Sequence, residues 1–373
     1  GFSRVVLPVA NSEEVSFING IEIVAISSLA EFIELSKGDK IWPKLKSKRI
    51  DLESATTNGS EQWQAILGQT QAKRALTIAI AGGHNIHLVG PPGTGKSMLA
   101  KAAAELQPPL SETEAIAATQ IHSVAGLINN KIISERPFRS PHHSTSTVGL
   151  IGGGSNLLPG EISLAHTGIL FLDELPEFSR SALESLRQPL ESGEVTITRA
   201  VGTATYPANF ALIAASNPCP CGFWGTHKPC TCTPPVRQRY TRKLSGPLLD
   251  RIDLHVRVEA VKTRTLANGI LNNDNSVELV RNSILEARQL QSERLGGTNF
   301  RTNGDLDGTS ARKMCLATSE GRDILTKAAE RLRLSARGYF KTLKVAQTIA
   351  DLEGSKIIES KHITEALQYR AEI

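Results

Sequence analysis

The stretch HNIHLVGPPGTGKSMLAKAAAEL, residues 84–106, decides the fold. It opens as a short apolar strand and ends as a helical run, and between them stands G-x-x-x-x-G-K-S from Gly90 to Ser97. A strand that passes through such glycines straight into a helix wraps its backbone N–H groups around phosphates and aims the helix's positive end at them. Gly90, Pro91, Pro92, Gly93, Thr94 and Gly95 then form the cradle of an ATP site. Lys96 meets the β- and γ-phosphates and Ser97 ligates Mg2+. Just upstream, ILGQTQAKRALTIAIAGG (66–83) gives an amphipathic helix entered through Gly68 and Gln69, with Gln69 expected on the adenine side of the nucleotide.

Two further apolar runs end in polar residues. HTGILFLDELPEF (166–178) reads as a buried parallel strand that ends in Asp173 and Glu174. Asp173 is expected to hold the Mg2+ water shell and Glu174 to polarise the attacking water as general base. NFALIAASN ends in Asn217, which can orient that water beside the γ-phosphate. Three parallel strands whose carboxyl ends converge on one phosphate site describe a P-loop α/β sheet. Farther on, Arg251 in LSGPLLDRIDLHV stands in a helix-to-strand turn. It can stabilise transition-state charge on a neighbouring subunit's nucleotide, or merely pair with Asp250 or Asp253. In the helical C-terminal part, LSARGYFKTLKVAQTIADLEGS has Ser335 as cap and Tyr339, Leu343, Ala346 and Ala350 on one face. The opposite stripe is Arg337, Lys341 and Lys344. Arg337 is expected to reach the nucleotide from this lid, and the rest to form a solvated face.

The chain has 373 residues, 40% hydrophobic and 21% charged, with a formal net charge of +5, which suits a globular protein of two or three domains and weakly favours a polyanionic partner. It has no run of eighteen apolar residues, and a cytoplasmic setting is expected. Four of the five cysteines fall in NPCPCGFWGTHKPCTCTPP (217–235). In a reducing compartment such a cluster is more often a metal site than two disulfides. Cys219, Cys221, Cys230 and Cys232 can close a tetrahedron around Zn2+, with reduced structural thiols, or His227 as a substitute ligand, as alternatives. The loop precedes Arg237, Arg239, Arg242 and Lys243, and no acid occurs from Lys228 to Lys243. EVTITRAVGTATYPA (194–208) alternates as a β-hairpin with Val201-Gly202 at its tip and Arg199 near it. RPFRSPHHSTS (136–146) adds Arg136, Arg139, His142 and His143, which can face phosphates, a neighbouring subunit or neither. Cys315 stands alone in a helical context, as a core residue would.

GFSRVVLPVAN (1–11) reads as the end of a larger N-terminal domain, and the polar stretch to Ser60 as a linker. The blocks GPPGTGKS, ILFLDELPEFSR, NPCPCG, SGPLLDRIDLHV and the VAQTIADLEGS helix, with RPFRSPHHSTS, LPGEISLAH and RQPLESGEVTITRA, resemble the magnesium-chelatase-like AAA+ ATPases of the YifB type. The resemblance implies a remnant of a Lon-protease-like domain at 1–40, a linker at 41–63, an AAA+ core at 64–260 and a helical lid at 261–373. It implies a homo-oligomer, expected as a hexamer, and a motor that translocates on DNA, in branch migration or helicase-like work during natural transformation or recombination. Metal insertion or protein remodelling, as in true magnesium chelatases, is the alternative, and an ATP-gated DNA-binding scaffold a third. The family's usual arginines at two lid positions are Lys344 and Gln347 here, so the roles of those arginines do not carry over to this chain.

Overall fold

The structure, a computed structural model, describes residues 2–15, 18, 20–43, 60–128, 132–261 and 277–370. Most of the linker expected at 41–63, and the first part of the lid expected from 261, lie outside the described residues. The chain divides into two compact units, residues 1–56 with 109–135, and residues 57–108 with 136–373.

In the smaller unit Arg4–Pro8 pairs in parallel with Glu22–Ile26, Val6 opposite Val24. A helix at Leu29–Lys37 follows. The Ser28 side chain caps it by accepting from the Glu31 amide at 3.2 Å, and Gly38 ends it in the left-handed conformation that glycine adopts without strain. A second helix, Glu112–Val124, starts on a reciprocal cap in which Ser111 and Glu114 each accept from the other's backbone N–H.

The larger unit is built on a sheet of five parallel strands: β1 (Ile86–Val89), β2 (Phe138–Arg139), β3 (Ile169–Leu172), β6 (Ala211–Ser216) and β7 (Leu254–Arg257). Their order is β7-β1-β6-β3-β2, so β1, which runs into the glycine loop, is flanked by β7 and β6. The period of two along each strand splits its side chains between two cores. Ile169 and Phe171 of β3, with Ile213 and Ala215 of β6, face one cluster, together with helix α1 (Thr70–Gly82) and helix α2 (Lys96–Ala104). Leu170 and Leu172, with Leu212 and Ala214, face the other, closed by Phe178, Leu183, Leu248 and Ile252. Both faces are therefore covered, which explains why these strands read as continuous apolar runs and not as alternating ones. A hairpin of β4 (Glu194–Arg199) and β5 (Gly202–Pro207) lays Val195 and Ile197 on the second cluster. Its last pair is Arg199 with Gly202, so the turn is Ala200-Val201, one residue before the expected tip.

After helix α3 (Pro234–Thr241), the C-terminal part is helical: α4 (Val277–Leu295), α5 (Ser319–Arg331), α6 (Ala336–Leu352) and α7 (Ser360–Gln368). Ser335 caps α6 as expected, accepting from the Gly338 amide at 3.1 Å. Every residue of α6 from Lys341 to Asp351 is buried, so Lys341 and Lys344 do not lie on a solvated face. They are buried because both faces of α6 are enclosed. Lys344 Nζ donates to the carbonyls of Gly304 and Leu306 at 2.7 and 3.0 Å, Gln347 bonds Asp351 at 3.0 Å, and Asp351 carries a two-oxygen contact with Arg294. Positions 344 and 347 thus serve packing. Cys315 is buried in the core, as expected, and burial pushes its thiol up to about 12.

Candidate functional site

The carboxyl ends of β1, β3 and β6 meet in one place because their registers align. Ser216 stands opposite Val89, and the Gly90 amide donates to Ser216 O at 3.1 Å. Gly90 also lies against the backbone of Val258, where a Cβ would run into the Val258 carbonyl. Gly93 and Gly95 take left-handed conformations that bend the loop into α2. Lys96 Nζ donates to the carbonyls of Gly90 and Pro91 at 2.7 and 3.0 Å and to Asn217 Oδ1 at 3.2 Å. Burial pushes the Lys96 amine down, against the pull of Asp173 and Glu174. Ser97 Oγ donates to Asp173 Oδ2 at 2.6 Å. Gly93, Gly95, Lys96, Ser97, Asp173 and Asn217 line a cleft of about 320 Å3 with Pro92, Thr94, Met98, Glu174 and Ser216. A hydroxyl and a carboxylate oxygen in contact beside this glycine loop are a donor set that fits Mg2+.

Gln69 reaches this loop from behind: its amide donates to Thr94 O at 3.2 Å and Glu259 O at 2.7 Å, tying the cradle to the end of β7. Glu174 follows Asp173 with φ +51°, a turn that exposes its carboxylate, and His143 Nδ1 lies 3.2 Å from Glu174 Oε2. That contact is one the sequence did not reveal, although His143 stood out in the RPFRSPHHSTS loop. The arginines of that loop are held inside the chain: Arg136 donates to Pro108 O and Thr167 O, and Arg139 binds Glu161 through two nitrogens at 2.6 and 2.7 Å.

Neither Arg251 nor Arg337 lines the cleft. Both end on Glu191, a residue to which the sequence reading gave no role. Arg251 Nη2 binds Oε2 and Arg337 Nη2 binds Oε1 at 3.0 Å. Arg337 also reaches Asp250 at 3.3 Å. The Arg251 hydrogen bond, reinforced by its charge and that of Arg337, holds Glu191 below the usual carboxylate range. Behind the two arginines a buried ion pair links their elements, because Lys341 Nζ, one turn along α6 from Arg337, lies 2.8 Å from Asp253 Oδ1, two residues after Arg251. Burial opposes the Asp253 charge. Lys341, the His84 hydrogen bond and the Lys344 charge together outweigh it, and Asp253 stays well below its ordinary value. His84 itself is pushed down by burial and binds Thr348 at 2.8 Å.

The four cysteines converge. Cys219 and Cys221 sulfurs are 3.4 Å apart, Cys219 and Cys230 3.7 Å, and Cys221 and Cys230 3.5 Å, and all four lie within 4.8 Å of one another. Four thiolates at 2.3 Å around one Zn2+ would stand about 3.8 Å apart, so the donor set fits that ion. The thiols respond unequally to the crowding. The Phe223 amide draws Cys221 down to about 5, while burial raises Cys219. The Cys221 amide lowers Cys232, yet burial and the neighbouring thiols push it up to about 11. A cation removes the conflict among them. Among the described residues His227 is not part of the group.

Comparisons with known proteins extend this picture. Residues 62–266 match the family described as magnesium chelatase, subunit ChlI, and residues 274–370 match the C-terminal part of that subunit. The chain is 41% identical over 368 residues to the competence protein ComM of Haemophilus influenzae, which covers 97% of this chain and 70% of that protein. It is 39% identical over 373 residues to the uncharacterized protein YifB of Escherichia coli, covering 99% and 71% respectively. To the YifB of Salmonella typhimurium it is 42% identical over 321 residues, 86% of this chain and 62% of that one. Among the described residues no helix is long and apolar enough to cross a membrane.

Proposed function

Since the chain belongs to the magnesium chelatase ChlI family of AAA+ ATPases, we propose that it is an ATP-driven motor on DNA, working as a homo-oligomer. The observation that carries the reading is the separation of its charged groups. Lys96, Ser97, Asp173, Glu174 and Asn217 converge on one cleft, while Arg251 and Arg337 stand together elsewhere, on Glu191. Two arginines held away from their own chain's phosphate loop suit a second subunit's nucleotide.

In this reading the backbone amides of Gly93, Gly95, Lys96 and Ser97 and the Lys96 ammonium bind the phosphates of ATP. Ser97 and Asp173 would hold Mg2+, which supplies charge neutralisation on the β- and γ-oxygens. Glu174 takes the proton of the attacking water. Its His143 contact keeps it turned until the nucleotide and the neighbouring subunit are in place. Asn217, already bonded to Lys96, orients the water. Arg251 and Arg337, released from Glu191, meet charge that develops in the transition state. The cysteine group would hold Zn2+ as a structural brace. DNA as the polymer is supported by the competence role in the name of the Haemophilus relative and by the basic segment after the cysteines.

The test is ATP turnover with and without single-stranded, duplex and branched DNA. Stimulation by at least one form is expected, whereas steady hydrolysis indifferent to all three would move the function to metal insertion or protein remodelling.

A further inference from the structure

Residues 217–249, from the end of β6 to Leu249, hold five Lys and Arg and no Asp or Glu. The formal charge of the whole chain is +5, so the rest of the sequence balances to zero and the excess lies in this one segment. Its aromatic rings sit under its cations. The Arg237 guanidinium stands 5.3 Å from the Trp224 ring centre, Lys228 Nζ 5.2 Å from Phe223 and Lys243 Nζ 5.7 Å from Tyr240. Trp224 is 47% exposed, an unusual setting for an indole. Helix α3, which carries Arg237, also lends Arg239 to a groove of about 360 Å3 lined by Phe178, Arg180, Arg239, Arg242 and Lys243. Glu177 at its side is engaged by Lys243 at 3.1 Å.

The segment is seated on the ATP site at two points. Asn217, its first residue, accepts from Lys96. Gly222, with φ +84°, rests on the phosphate loop so closely that a Cβ there would stand 2.5 Å from Pro92 Cδ.

We propose that this segment, with Arg180 beside it, is a platform for single-stranded nucleic acid, on which Trp224 stacks a base while Arg180, Arg239, Arg242 and Lys243 track the backbone phosphates. The inference rests on the reading that the protein acts on DNA, and names the form of DNA and the residues that grip it. A flat exposed ring beside a guanidinium suits an unpaired base, whose face is open, better than a duplex, whose bases are stacked away. An acidic polypeptide would use the cations and leave Trp224 without a task.

The experiment is binding of a fluorescein-labelled oligodeoxythymidylate to the full chain by anisotropy, with a blunt duplex of equal length in parallel. Trp224→Ala is expected to weaken binding of the single strand about tenfold, with little effect on the duplex. Arg239→Ala with Arg242→Ala should lower the slope of log affinity against log salt by about 1.4. Tryptophan emission of the wild type should be quenched by the oligomer, and the quench should be lost in Trp224→Phe, a change that keeps an aromatic ring in place. Unimpaired single-strand binding by Trp224→Ala and the double arginine variant, a quench that persists in Trp224→Phe, or displacement of the oligomer by polyglutamate as readily as by unlabelled oligomer would overturn the platform while leaving DNA action standing. A wild type that binds neither DNA would overturn both.

Discussion

Arg251 and Arg337, one from the turn before β7 and one from the first turn of α6, bind opposite oxygens of the same carboxylate, that of Glu191. The sequence assigned them separate duties, one in a neighbour's site and one reaching in from the lid. Their meeting on one carboxylate joins them into a two-arginine unit, braced from behind by Lys341 and Asp253. Arg251→Ala is expected to leave ATP binding nearly intact and to reduce turnover on the order of a thousandfold, because a finger acts on transition-state charge. Subunits carrying Arg251→Ala, mixed with subunits carrying Glu174→Gln, should regain hydrolysis at interfaces that pair a good base with a good finger. Mixed oligomers with no recovered activity would place the finger in its own chain's site.

Glu174→Gln should bind ATP and hydrolyse it at least about a hundredfold more slowly, since the amide cannot take the water's proton. Lys96→Ala should instead weaken nucleotide binding, as seen with a fluorescent ATP analogue. His143→Ala frees Glu174 and is expected to raise turnover in the absence of DNA several-fold without changing ATP affinity. An unchanged basal rate in that variant would make the His143 contact incidental.

The glycine loop and the two strand ends beside it were legible because each depends on local pattern: glycines between a strand and a helix, and apolar runs stopped by Asp173 or Asn217. Glu191 was not legible. It stands in RQPLESGEV as an ordinary acid, and only the folded chain brings two distant arginines to it. Lys341 and Lys344 misled for a related reason. A polar stripe on a helix reads as solvent-facing unless a partner layer is known, and here Asp253 and the carbonyls of Gly304 and Leu306 supply one. The cysteine spacing gave the donor set but not the seating of Gly222 on Pro92.

Stability should depend on pH in a definite direction. His87 and His255 lie with their rings 5.9 Å apart, and burial depresses them to about 3 and about 4. Both are therefore neutral in the folded chain near pH 5, where an unfolded histidine is charged. Unfolding then takes up roughly two protons, and stability falls as pH drops from about 6.5 toward 4. Asp253, held low, adds a second loss: its stabilisation is complete above the ordinary carboxylate value and fades as pH falls below it. Urea unfolding from pH 7 to 4 should show this slope, and a flat profile would contradict the burial of those histidines. Asp253→Asn at neutral pH leaves Lys341 buried without its partner and should cost about 3 kcal/mol, with much of it recovered by Lys341→Met.

Protein purified without added metal should carry close to one zinc per chain, because a closed thiolate site binds with about 10–16 kcal/mol. Cys230→Ser with Cys232→Ser should release the metal and leave ATP binding largely unchanged, while DNA-stimulated turnover falls. Zinc-free wild-type protein with full DNA stimulation would remove the metal from the picture.

The central claim is that ATP hydrolysis moves this protein along DNA, and it is tested most directly on a branched junction with a fluorophore and quencher on opposing arms. The expected result is branch movement that requires ATP, stops with Glu174→Gln, and stops with Arg251→Ala. A junction left in place by wild-type protein that hydrolyses ATP in its presence would contradict the claim.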